Sequence, residues 1–275
     1  MKKLLAILTA VIVASNILPA MAASKAKSST KVEELHYDAY WHWGIIWKKA
    51  GSGVLTLWNE KTQQGTDRKC GVLAGRSHSI VETIMKVRDT LECYYTPNMI
   101  PLEYCKKTHE GSYHAIERNY YKTFCNGKAM TATTINKAQE ADVDSTHTEI
   151  YRWRNKKGNS RKSLGINAIG YDMLSIFYKI RSLDFDNMRY GQTVRYYIFS
   201  GVRGQWMTLT YQGKTTCQLR NGKQYPAHHI GLTFASKDSD STPLDVWLAQ
   251  SADHRPLSVI IQLKRIGSIQ GEIVE

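Results

Sequence analysis

Two-residue alternation is the feature that most constrains this chain. From Leu257 the odd positions Leu257, Val259, Ile261 and Leu263 are apolar, while Ser258, Ile260, Gln262 and Lys264 are mostly polar. Successive side chains of a strand point to opposite faces, so this period belongs to a strand with one buried face. Comparable runs occur at "GVLTLWNE", "RDTLECYYT", "SYHAIERNYYKTF", "TEIYRWR", "TVRYYIFS", "QWMTLTYQ" and "HIGLTFAS". Turn chemistry falls between or beside them at "KKAGSG", "FCNGK", "KKGN", "YQGK" and "RNGK", where Gly and Asn-Gly accept the positive φ of tight turns. Sixteen Tyr, seven Trp and only six Pro suit a pleated, half-buried surface. The expected fold is mainly β: an antiparallel curved sheet, closed as an open barrel or sandwich.

One segment departs from that period. In "AIGYDMLSIFYKIRSLDF", Met173, Ile176, Phe177 and Ile180 recur at helical spacing, with Asp172, Ser175 and Lys179 on the other side. This predicts one amphipathic helix over 172–181, packed across the sheet and stabilised by that packing. The polar stretch 133–147 predicts a long mobile loop. No repeat or Pro/Ser-rich linker divides the chain after residue 31, so a single domain over 32–275 is expected.

The first residues read as an export signal. Lys2 and Lys3 precede an apolar stretch over 4–18, Pro19 breaks it, and Ala20-Met21-Ala22 supplies the small residues that a signal peptidase reads. Residues 1–22 are therefore expected to be removed by cleavage between Ala22 and Ala23, which gives a periplasmic or secreted protein that does not span the membrane. Residues 23–31, small, polar and basic, read as a flexible leader. The formal charge is +13, and losing Lys2 and Lys3 leaves +11. That favours anionic partners such as envelope polymers or lipid head groups, with nucleic acid a poor partner for an exported protein and plain solubility the competing explanation. Cys70, Cys93, Cys105, Cys125 and Cys217 are an odd set, so at least one is unpaired, and their spacing fits neither a zinc site nor a redox pair.

Asp253, His254 and Arg255 form a charged knot between two apolar runs. A general base there would need an orienting partner and a pocket; a connecting corner, with Asp253 bonding nearby amides and Pro256 setting the exit, is the favoured reading. Adjacent His228 and His229 point to opposite faces of a strand and cannot easily share a metal. No nucleophile elbow or phosphate-cradling glycine loop is present, and Cys70 with His78 is the weak candidate for nucleophilic chemistry. No catalytic residue, metal site or cofactor is assigned.

Two constellations suggest binding instead. Arg152, Trp153, Arg154, Lys156, Lys157, Arg161 and Lys162 crowd one predicted hairpin, where Arg can grip phosphate or carboxylate and Trp offers a ring face; a solvated turn is the alternative. Tyr37, Trp41, Trp43, Trp47 and Trp58 could line a concave face that holds a lipid or glycan, or fill the core beneath the helix.

The segments "LHYDAYWHWGIIWKKAGSGVLTL", "VRDTLECYYTPNMIPLEYCKKTHEGSY", "YDMLSIFYKIRSLDF" and "WLAQSADHRPLSVIIQLKRIGSIQGEI", in that order, resemble the domain-of-unknown-function 3108 family of exported bacterial proteins. The corner departs from the family pattern: Ser251-Ala252-Asp253 stands where Ser-Asp-Asp is usual, and His254-Arg255 where a branched residue precedes Pro. The resemblance implies an antiparallel sheet with a helix and a periplasmic address, and it supplies no catalytic residues. The functional expectation is a non-catalytic binding module for an apolar or amphipathic envelope ligand. The alternative is an envelope protein that docks on another protein or an anionic polymer.

Overall fold

The computed structural model describes residues 26–83, 86–235, 243–263 and 267–274. The amino-terminal half supplies β1 (Ala26–Trp43), β2 (Ile46–Thr62), β3 (Asp67–Ser77), a short helix α1 (Ser79–Glu82), β4 (Arg88–Tyr95), β5 (Pro101–Glu110), β6 (Tyr113–Cys125) and β7 (Lys128–Ala129). There follow β8 (Val143–Arg154), β9 (Gly158–Ile166), β10 (Gly170–Asp172) and the helix α2 (Ser175–Arg181). The chain ends with β11 (Thr193–Ser200), β12 (Arg203–Gln218), β13 (Gln224–Phe234), β14 (Leu244–Ala249), β15 (Pro256–Leu263) and β16 (Gly267–Val274).

All belong to one 16-stranded sheet, in which β10 to β16 run in order into β1, and β1 to β6 continue to β8 and β9; β7 pairs with β6 off this path. Neighbours are antiparallel except β10 and β11, which are parallel. The sheet rolls into a nearly closed barrel, as the alternation predicts. At the seam, the Lys162 side chain of β9 donates to the Val202 carbonyl (2.9 Å) and the Gly170 N–H of β10 donates to Thr146 Oγ1 of β8 (3.1 Å). The free edge of β9 is protected by charge and exposure, with Arg161 and Lys162 along it.

α2 lies inside the barrel. Ile176 and Ile180 pack among Tyr171, Phe185, Tyr196, Ile198, Leu209 and Ile230, whereas Leu174 and Tyr178 pack on Leu55, Leu91, Cys93, Tyr95 and Tyr104. Glycine at position 71 makes this fit: a Cβ there would stand 2.4 Å from Cε2 of Tyr178. The polar side expected for the helix is corrected in turn. Asp172 and Ser175 are fully buried; Asp172 precedes the helix. Its Oδ1 accepts from the N–H of Leu174 (2.9 Å) and Ser175 (2.7 Å), and Ser175 Oγ accepts from the Asp172 N–H (3.1 Å). These bonds fix the turn 172–175 that leads into the helix, whose N-cap is Leu174.

Other expectations change for local reasons. Residues 26–31, read as part of the leader, form the first third of β1 and pair with β2 from Ala26↔Thr62 onward. "KKAGSG" is not a turn: the chain reverses at Gly44 (φ 57°), and Lys48 to Gly53 continue β2. "YQGK" is a bulge in β12, where Gly213 (φ 93°) shifts the register between Tyr211 and Lys214. The stretch 133–147 is a loop only as far as residue 142, with Ile135 and Ala138 buried against Ile100 and Cys125, and 143–147 lie in β8.

Candidate functional site

Strand direction sorts every connection to one of two rims. The turns after β1, β3, β5, β8 and β11 gather on one, here called the upper rim; the turns after β2, β4 and β14 gather on the lower, while the β12–β13 turn folds against the outside of β16 and β1, where Arg220 reaches Glu272, Tyr40 and Trp47. The corner 250–255 is on the lower rim and is a turn. Asp253 Oδ1 accepts from Ser251 Oγ (2.5 Å) and the Arg255 N–H (3.4 Å). Partial burial pushes the Asp253 carboxyl up, but these bonds outweigh it and hold the carboxyl below the ordinary range. His254 turns away at φ 42°, its Nδ1 2.9 Å from the Arg181 carbonyl, and its ring edges onto Phe185 and His228. Arg181 in turn donates to the Asp253 carbonyl (3.1 Å) and holds both oxygens of Glu33 (2.8 and 2.6 Å). The knot locks α2 to β1 and the corner.

His228 and His229 point apart, as alternation requires: His228 is buried against Tyr211 and Phe185, and His229 stacks on Trp247 beside Asp245. Among the described residues no three His, Cys, Asp or Glu side chains converge to hold a metal. Burial pushes the Cys70 thiol up to about 12, away from the thiolate a nucleophile needs.

The basic hairpin does not act as one patch, for its strands divide it. Arg152, Arg154 and Lys162 fall on one face of β8–β9, Trp153 and Arg161 on the other, with Lys156 and Lys157 at the exposed turn. Arg152 Nε lies 3.3 Å from Glu117 Oε2, and Arg161 pairs with Glu149 (2.8 Å). The aromatic set divides likewise. Tyr37 and Trp41 share the inward face of β1, where the Tyr37 hydroxyl donates to the Pro256 carbonyl (2.9 Å); Trp47 and Trp58 belong to the outward face of β2. The concave space those rings are expected to line holds α2.

Sequence reasoning missed an interior polar wall. Asp89, Lys106, Glu110, Glu117 and Asn119 all share the inward parity of β4–β6. Burial pushes Asp89 up to about 6, and burial together with the neighbouring Asp89 carboxyl pushes Glu110 up to about 7. The only sequence signal was the run of polar residues at buried parity in "AIERNYYKTF". Nearby, the Tyr104 and Tyr121 hydroxyls, the Asn119 amide and Thr148 Oγ1 are buried with no hydrogen-bond partner among the described residues; groups like these take ordered water.

The upper rim carries the most exposed apolar group. At the β1–β2 tip Ile45 is 97% exposed, Trp43 54% and Ile46 43%. The root beneath is braced: His42 stacks on Trp47 (3.9 Å between centroids), and the Arg220 guanidinium sits over Trp47 at 4.2 Å and Tyr40 at 5.0 Å. Gly267 backs it, because a Cβ there would meet the His42 carbonyl oxygen at 1.9 Å.

A family model described as "Protein of unknown function (DUF3108)" matches residues 36–274. The chain belongs to the DUF3108 family. Its barrel is similar to the crystal structure of a beta-barrel-like protein of domain of unknown function DUF1849 from Brucella abortus, with TM-score 0.51 and 7% identity over 88% of this chain and 95% of that one. At that identity the DUF3108 chain shares a fold with it and nothing more is carried across. Comparison with curated proteins returns no match. No helix among the described residues is long and apolar enough to cross a membrane. The outer wall of this DUF3108 barrel carries ion pairs such as Glu60–Arg68 and Glu92–Lys107, and α2 fills its interior with apolar side chains beside the polar wall of β4–β6. A membrane-spanning barrel turns an apolar band outward instead.

Proposed function

We propose that this DUF3108 protein is exported, with cleavage between Ala22 and Ala23, and works in the envelope as a docking protein whose upper rim contacts another envelope component. One observation carries the reading: the β1–β2 tip holds Trp43 and Ile45 out in solvent on a braced root, at 54% and 97% exposure. Large apolar side chains clustered in the open mark interaction sites. Occupation of the interior by α2 favours docking by the outside over a lipid held within. The basic character of the chain, +11 after that cleavage, favours an anionic partner.

The test is in cells, with a photocrosslinking amino acid at residue 45 and, as control, at Tyr190, which is 82% exposed near the lower rim. Envelope adducts at position 45 and none at 190 are expected; equal or absent labelling would overturn the reading. Amino-terminal sequencing of the protein recovered from the periplasm should begin at Ala23.

A further inference from the structure

We infer that the upper rim docks on an anionic lipid bilayer, the β1–β2 tip entering the headgroup layer while rim cations meet the lipid phosphates. The inference rests on the docking reading above and names its partner. Trp43, Ile45 and Ile46 project from a two-residue turn that Gly44 closes at φ 57°. Tryptophan and a branched aliphatic at such a tip match the polar–apolar boundary of a membrane, where an indole places its ring among acyl chains and its N–H in water. Because His42, Trp47 and Arg220 already fix the root, insertion orders little that was free.

Charge on the same rim points to the same partner. Lys48 follows the tip directly, Lys86 stands at the adjacent β3–β4 connection, and Lys156, Lys157 and Arg203 stand at the β8–β9 and β11–β12 turns farther round the same rim, all exposed. None of the five is in an ion pair among the described residues, whereas the nearby acids Asp38 and Glu82 are already matched by Lys49 and Arg88. At the other end the charges are mixed: Asp67 and Asp186 are paired with Lys61 and Lys214, and Asp144 and Asp184 share that end with Lys128, Lys137 and Arg189. Cations outside any ion pair among the described residues, around an exposed apolar tip, suit the upper rim to an anionic surface. The rings and lysines that the sequence suggested as two separate sites thus contribute Trp43, Lys156 and Lys157 to a single one.

The test uses protein purified from the periplasm and vesicles of phosphatidylcholine with or without phosphatidylglycerol, read by co-sedimentation. Binding is expected only with phosphatidylglycerol and should weaken as salt is added. Ile45→Ser should weaken it roughly tenfold by removing inserted apolar surface, and Lys156→Gln roughly fivefold by removing one cation near the surface. Both sites are exposed, so unchanged thermal unfolding shows that the variants are folded. No sedimentation with phosphatidylglycerol vesicles, or full binding by Ile45→Ser, overturns the lipid assignment. If residue 45 then still crosslinks a protein in cells, docking stands and only the lipid partner falls; if it crosslinks nothing, both fall.

Discussion

Asp89 shows what a single inward carboxyl does to this protein. It is 1% exposed, its Oδ1 accepts from the His109 N–H at 2.7 Å, and burial pushes it up to about 6 against an ordinary value of 3.8. Its folded value is the higher one, so the folded state keeps a proton that the unfolded chain has already lost between about pH 4 and 6. Stability therefore falls as pH rises through that window and is level above it. A shift of about two units corresponds to roughly 3 kcal/mol. Asp89→Asn removes the ionisation, so its stability relative to the native chain should improve between pH 4 and 6 by roughly that amount. Urea unfolding of both chains across the range checks this, and parallel pH profiles would refute it. Asp172 shares the direction, also pushed up to about 6 by burial, but the bonds it accepts from Leu174 and Ser175 make it structural as well.

At the scale of elements, α2 decides how the barrel is filled. Its exit is fixed by the Arg181–Glu33 pair, whose side chains are only 9% and 14% exposed. Removing one partner strands the other charge, so Arg181→Ala should cost about 3 kcal/mol or more in denaturant unfolding. A loss within experimental error would mean the pair is unimportant. Gly71→Ala should also destabilise, by about 1–3 kcal/mol, since its methyl must displace Tyr178. These residues also show how far the sequence could be read. Alternation placed most strands because one face is wetter than the other, as in β4, and helical spacing found α2 through Ile176 and Ile180. Neither pattern could show that the far side of α2 is also buried, since Asp172 and Ser175 look solvent-facing until their hydrogen bonds are seen. Glycine was ambiguous for a similar reason: it serves as a turn at Gly222, a bulge at Gly213 and a helix seat at Gly71. The tip at Ile45 was hidden because "KKAGSG" offered stronger turn chemistry than "WGII". Local chemistry names a reversal, but pairing with β1 decides where it falls.

At the scale of the molecule, the first strand pairs with the last, from His36↔Val274 to His42↔Ser268, so the barrel is stapled by its most distant segments in sequence. Opening any part of the wall near that junction costs contacts from both ends of the chain. The five cysteines report on this, being distributed over β3, β4, β5, β6 and β12, all buried and all free. Burial pushes every one of these thiols up: Cys105 and Cys217 to about 11, Cys70 to about 12, and Cys93 and Cys125 in the same direction. A thiol reagent attacks the thiolate, so in the folded barrel each cysteine is both shielded and protonated. Labelling should then wait on opening of the wall, and a wall closed by its two ends opens as a large unit. The prediction is that a disulfide-exchange reagent at neutral pH finds no thiol in the native protein within minutes and all five in denaturant. Slow native labelling should accelerate in step with the global unfolding equilibrium as urea is added. Immediate stoichiometric labelling of one thiol would contradict this, and if that thiol were Cys70 it would reopen the nucleophilic reading of Cys70 with His78.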